Sequence, residues 1–139
     1  MDHTSRQRWL GPVILAGVLY PVVGIASAAL AEAAASPQMQ FFWRLSAFAM
    51  SAVVLAAHVA YEHFRLRNGA QVTAWHASLG AAIGGLLLAV MANIHDLGSA
   101  SGYRPRMLVA LMAWPLLTGV PAFVVALVLA VALGWKRQP

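Results

Sequence analysis

Trp9 to Ala31 reads WLGPVILAGVLYPVVGIASAALA, 23 residues without a charge. Crossing an apolar core of about 30 Å takes roughly 20 helical residues, so this stretch alone predicts a transmembrane helix. Working outward along the chain, three more apolar stretches follow. One runs from Leu45 to Tyr61, bounded by Arg44 and Glu62 and lengthened at its start by Phe41, Phe42 and Trp43. The next begins near Val72 and the last runs from Met107 to Trp135. Spanning strands of a β-barrel would alternate polar and apolar residues over about ten positions, and these stretches do not. The predicted fold class is all-α, a polytopic membrane protein built as an antiparallel bundle of four transmembrane helices. Residues 1–139 form a single transmembrane domain with helices at 9–31, 41–64, 72–93 and 107–135.

Composition agrees with that reading. Apolar residues make up 61% of the chain and charged residues 9%, whereas soluble domains run at roughly 45–50% and about 25%. A soluble chain of 139 residues has too much surface for its volume to hide such a share. Disordered chains are poor in hydrophobic residues, which removes that class too. Cysteine is absent, so disulfides, thiol relays, thiolate iron–sulfur clusters and Cys zinc sites are excluded. The net charge of +5 sits beside apolar segments. Topology signals and lipid headgroups explain it, and no nucleic-acid partner is expected.

Arg6 and Arg8 ahead of an apolar run, with Ala29-Leu30-Ala31 behind it, imitate a secretory signal. The length of the run and the prolines at 12 and 21 argue for a retained first helix. With the N-terminus inside, Arg6, Arg8, Arg65, Arg67, Lys136 and Arg137 are cytoplasmic, against Arg44, Arg104 and Arg106 outside. That asymmetry predicts both termini in the cytoplasm, in a bacterial inner membrane. Trp9, Tyr61, Trp75 and Trp135 then mark the inner interface. The loops at 32–40, 65–71 and 93–106 are short, so chemistry must lie between the helices or at their ends. Tyr20-Pro21 with Gly24 in the first span echoes Trp114-Pro115 with Gly119 in the fourth, and Pro12 and Pro121 add further breaks. Prolines free backbone carbonyls, which either line a binding site or are satisfied by neighbouring helices.

The second span carries a polar stripe. Arg44, Ser51, His58 and Arg65 recur every seven residues, and Glu62 lies four beyond His58. At 100° per residue these five fall within about 60° of arc. Ionisable groups at membrane depth are expensive, so the stripe should face the bundle interior or a wet cavity. In the third span His76, Gly80 and Gly84 share a face, and the two glycines allow close helix contact. The second and third spans form a hairpin turning near Asn68-Gly69, which sets His58 and His76 at similar depth.

Matched histidines permit several chemistries. A b-type haem would take His58 and His76 as axial ligands, with Arg65 or Arg67 pairing its propionates. A divalent metal ion would take His58, Glu62 and His76, joined by His63, since His and Glu at i, i+4 share a helix face. The remaining reading is a hydrogen bond between helices, structural or proton-handling. Trp75-His76-Ala77-Ser78-Leu79-Gly80 resembles the His-x-Ser-Leu-Gly segment that carries a haem ligand in bacterial di-haem b-type cytochromes. The likeness spans His76 to Gly80 alone. Such cytochromes carry two ligand pairs, whereas this chain has only His58 and His76 within the membrane, so the likeness implies one haem at most.

A second, outer cluster comprises Glu32, Arg44, Asn93, His95 and Asp96, brought near one another by short loops. It reads as interfacial ion pairing, or as a pocket for a quinone or other small ligand with His95 as proton donor or acceptor. Three functions follow from these features. The first is a redox-associated protein with a haem or metal between the second and third helices. The second is a non-catalytic accessory subunit packed against other membrane-protein subunits. The third is a small self-associating transporter or channel. No phosphate-cradling glycine loop and no nucleophile–base set is visible, so an enzyme acting alone is not expected.

Overall fold

The computed structural model describes residues 8–97 and 106–135. Arg6, Arg104, Lys136 and Arg137 lie outside them, as do the side chains of Asp96 and Arg106. Four helices fill the described residues: α1 (Leu10–Glu32), α2 (Pro37–Tyr61), α3 (Ala70–Leu97) and α4 (Arg106–Trp135). A one-turn π-helix, Glu62–Leu66, extends α2. Each of the four is long and apolar enough to cross a membrane, and the protein is an all-α integral membrane bundle.

Local chemistry explains where the helices begin. α2 opens at residue 37 rather than 41 because Ser36 caps it: its Oγ accepts from the Met39 N–H at 3.3 Å. Pro37 occupies the first helical position, where its missing N–H is not needed. At the other end of α2 the chain reverses over 67–69 only, so α3 starts at residue 70 rather than 72. Arg67 makes the reversal in the left-handed region, with φ 55°.

The interior is made of small residues. Among the described residues, the buried apolar side chains larger than alanine are Val13, Pro21 and Val59. Large apolar groups point outward instead, Phe48 being 76% exposed and Met112 78%. A soluble protein would be inverted by this arrangement. In a bilayer it is the expected one, because lipid already solvates large apolar groups and helices associate by close backbone approach.

α3 is the central helix and has two glycine-bearing faces. On one, Gly80 and Gly84 meet α1: a Cβ on Gly80 would lie 3.3 Å from the Val13 carbonyl oxygen, and one on Gly84 2.7 Å from Tyr20 Cβ. On the other, Gly85 meets α4, where a Cβ would lie 2.9 Å from the Trp114 carbonyl oxygen. Two hydroxyls hold this second seam. Ser78 Oγ donates to the Gly119 carbonyl at 2.9 Å. The Thr118 hydroxyl is shared between the carbonyls of Trp114 at 2.8 Å and Ala81 at 3.1 Å. The Gly80–Gly84 face anticipated from spacing is therefore real, and its partner is α1. α2 packs mainly on α1 and touches α3 and α4 only lightly. Its closest approach to α3 is at the turn, where the polar residues gather.

Candidate functional site

Among the described residues Glu62 is the largest fully buried side chain, with 0% exposure. It stands where α2 passes into the π-turn. The wider π geometry leaves the Glu62 carbonyl accepting from two backbone donors, the N–H groups of Arg67 and of Asn68, the latter at 3.2 Å. That clasp returns Asn68 to the start of the turn, and its side-chain amide donates to Glu62 Oε2. Backbone and side chain of one residue are thus held by the next reversal of the chain. Single π-turns recur at functional sites because they reposition side chains that an α-helix would stagger.

α3 supplies the second partner. His76 Nδ1 lies 3.1 Å from Glu62 Oε1 and 3.0 Å from Oε2, so it faces the carboxylate almost symmetrically. With Glu62 ionised, its carboxylate accepts and Nδ1 carries the hydrogen; with Glu62 protonated, Nδ1 is the acceptor. The other side of the ring is covered by Trp9, stacked at 4.5 Å between centroids with planes 6° apart. From one turn back on α2, His58 Nε2 reaches to 3.7 Å from Glu62 Oε1. This is ion-pair range and beyond hydrogen-bond length, and Nε2 has no hydrogen-bond partner among the described residues. The His58 side chain is 3% exposed.

Electrostatics fix what this group must do. A carboxylate removed from water costs several kcal/mol unless paired, so Glu62 requires a proton on itself or on a neighbouring imidazole. One proton on the Glu62–His76 pair leaves it neutral overall, and His58 faces the same oxygen as a second acceptor. Counting along the spans, both histidines sit about 10 Å from the bilayer midplane and Glu62 near the edge of the hydrocarbon. His58 also lines a groove between α1 and α2, with Pro12, Leu19 and Tyr61, that faces lipid.

Sequence spacing placed His58, Glu62 and His76 together, and the structure brings them together. They converge on the carboxylate rather than on each other. Arg65 and Arg67 are exposed beside the turn, with no ion pair among the described residues. His63 is buried, its ring stands edge-on to Phe64 at 5.1 Å, and its Nε2 has no hydrogen-bond partner among the described residues. Among the described residues no group of three His, Asp or Glu is arranged to hold a metal ion. Of the outer cluster, Glu32, Arg44 and His95 are exposed and form no salt bridge among the described residues, and the Asn93 amide donates to the Ala89 carbonyl of its own helix at 2.7 Å. The Asp96 side chain lies outside the described residues.

Two contributors were missed from sequence. Asn68 read as a turn residue, although an amide six residues after a buried acid was a usable signal. Trp9 read as an interface marker, and only the packing of α1 on α3 shows it against His76. Compared with protein-family models, with curated proteins and with solved structures, the chain matches none.

Proposed function

We propose that the protein holds and hands on a proton within the membrane, in the service of a redox or transport partner in the same bilayer. Glu62 is the anchoring carboxylate, His76 the resident proton carrier and His58 the second post. The observation that supports this is the complete burial of Glu62 with its carboxylate shared by His76, Asn68 and His58. A purely structural bond between helices does not require a second imidazole at 3.7 Å with its Nε2 unpartnered. The Arg and Lys count favours a bacterial inner membrane with both termini cytoplasmic, which puts the cluster at the cytoplasmic side. Infrared spectra of the protein in lipid, compared between wild type and Glu62→Gln, test the proposal. A carboxylate band and an imidazole band of His76 should be lost or displaced together in the variant. An imidazole band that Glu62→Gln leaves unchanged would contradict it.

A second reading uses the same atoms for a haem iron or a divalent metal. It is favoured by the bond from His76 Nδ1 to a carboxylate, which is how metal-binding imidazoles are commonly oriented with Nε2 free. Visible absorption and metal analysis of protein expressed with haem and metals separate the two readings. His76→Ala should abolish a bound chromophore, and protein that carries neither haem nor metal removes this reading. A through-channel is the least supported. Val59, Ala74, Ala77, Ala126 and Ala130 pack into an apolar core at about the depth of the two histidines. The accessory-subunit role is compatible with the proton-handling proposal and would appear as copurification with a membrane complex.

A further inference from the structure

Asn68-Gly69 turns the chain between α2 and α3, and this pair carries a covalent chemistry of its own. An asparagine followed by glycine is prone to lose its side-chain amide, because glycine leaves the next backbone nitrogen unhindered. Gly69 is exposed, and a Cβ built on it would meet nothing within 4 Å, so water has access to the bond.

The reaction is a ring closure. The Gly69 nitrogen attacks Asn68 Cγ, the Cγ–Nδ2 bond breaks, and ammonia leaves with the proton that the Gly69 nitrogen gives up. Water then opens the five-membered imide at either carbonyl. One product is aspartate on the normal backbone, and the other is isoaspartate, with the chain routed through Cγ. Nothing is oxidised or reduced, and water is the co-reactant.

The fold restrains both reacting groups. The Asn68 side-chain amide donates to Glu62 Oε2, and the Asn68 N–H donates to the Glu62 carbonyl at 3.2 Å. Gly69 is tied from the other side, its carbonyl accepting from the Thr73 N–H at 3.0 Å in the first turn of α3. Closing the ring means rotating the Asn68 side chain against the Gly69 peptide, and these bonds oppose that rotation. The strongest of them runs to a carboxylate with 0% exposure, where water does not compete for it.

We propose that Asn68-Gly69 is a latent deamidation site that Glu62 holds closed, and that its reaction dismantles the buried cluster. Aspartate at this position sets a second carboxylate where an amide donor met Glu62, so acceptor faces acceptor in a site without water. Isoaspartate adds a methylene to the backbone between the Glu62 clasp and the first turn of α3. The proposal concerns amide chemistry and does not depend on the cluster carrying a proton.

The test is mass spectrometry of the peptide containing Asn68, after the protein has been incubated in lipid nanodiscs at mildly alkaline pH. Conversion in the folded wild type should run roughly tenfold slower than in the chain unfolded in urea and SDS, the worth of one charge-assisted hydrogen bond. His76→Ala keeps Glu62 and should stay slow, which controls for general destabilisation. Glu62→Gln, whose neutral oxygen holds the Asn68 amide less firmly, should react several-fold faster than wild type, and Glu62→Ala faster again. If Glu62→Ala does not fold, the comparison of Glu62→Gln with His76→Ala decides. Asn68→Asp, standing for the product, should unfold at a lower temperature than wild type. Folded wild type reacting as fast as the unfolded chain would overturn the proposal, as would Glu62→Gln reacting no faster than wild type. An unfolded chain that stays intact at Asn68, or Asn68→Asp as stable as wild type, would overturn it too.

Discussion

At the turn between α2 and α3, a carboxylate with 0% exposure meets two imidazoles and an amide. On α1, the half-buried Tyr20 hides its hydroxyl without a hydrogen-bond partner among the described residues. Both sit in the same bundle, yet the costs involved differ. An unpaired charge near hydrocarbon is worth several kcal/mol, enough to dictate local backbone geometry, and the π-turn with its Asn68 clasp supplies the pairing. A neutral hydroxyl costs about 1–3 kcal/mol, which a bundle packed by glycine and alanine contacts can tolerate. The comparison teaches that a buried charge imposes partners on the local backbone, whereas a neutral hydroxyl can be hidden in the bundle without one.

Removing the carboxylate should break this contrast most severely. Glu62→Ala leaves His76, Asn68 and His58 facing a buried void, and a loss of about 3–5 kcal/mol is expected. Thermal unfolding in detergent, with Glu62→Gln as a milder companion, would measure it. Next in size is His76→Ala, which removes one charge-assisted bond and the Trp9 stack, with an expected cost of about 2 kcal/mol. His58→Ala removes no hydrogen bond to Glu62 and should cost clearly less in the same assay. Equal losses for the two histidines would contradict the ranking.

Two glycines away from the turn sharpen the neutral side of the comparison. Gly85→Ala drives a methyl toward Thr118 Oγ1 and to 2.9 Å from the Trp114 carbonyl oxygen, where backbone cannot yield. A loss of about 1–3 kcal/mol is expected from the forced separation of α3 and α4. Gly24→Ala meets only Leu88 methyl groups, at 3.7 and 3.8 Å, and should be close to neutral. The smallest effect belongs to Tyr20→Phe. It removes a donor that has no partner, so unfolding should shift by no more than about 0.5 kcal/mol, toward greater stability if at all.

Much of this was readable from residue order. Span lengths gave four helices, because burying uncharged runs of this length is a one-dimensional property. The Arg44–Ser51–His58–Glu62 spacing pointed at the right face of α2, and Asn68-Gly69 marked the turn. What sequence withheld was partnership. Gly80 and Gly84 advertise a close contact without saying that α1, not α2, fills it. The π-turn at Glu62 has no compositional signature, since it follows from how Arg67 and Asn68 bond back to one carbonyl. Tyr20 looks like any aromatic residue in an apolar helix, and only the structure shows its hydroxyl hidden without a partner among the described residues.

The central claim is that Glu62 and His76 share a proton inside the bundle. Solid-state nitrogen NMR of histidine-labelled protein in lipid reads it directly, with His76 assigned by its loss in His76→Gln. A proton on Nδ1, in contact with the Glu62 carboxylate and displaced in Glu62→Gln, is the expected result. A bare Nδ1 with the proton on Nε2, unchanged by Glu62→Gln, would contradict it.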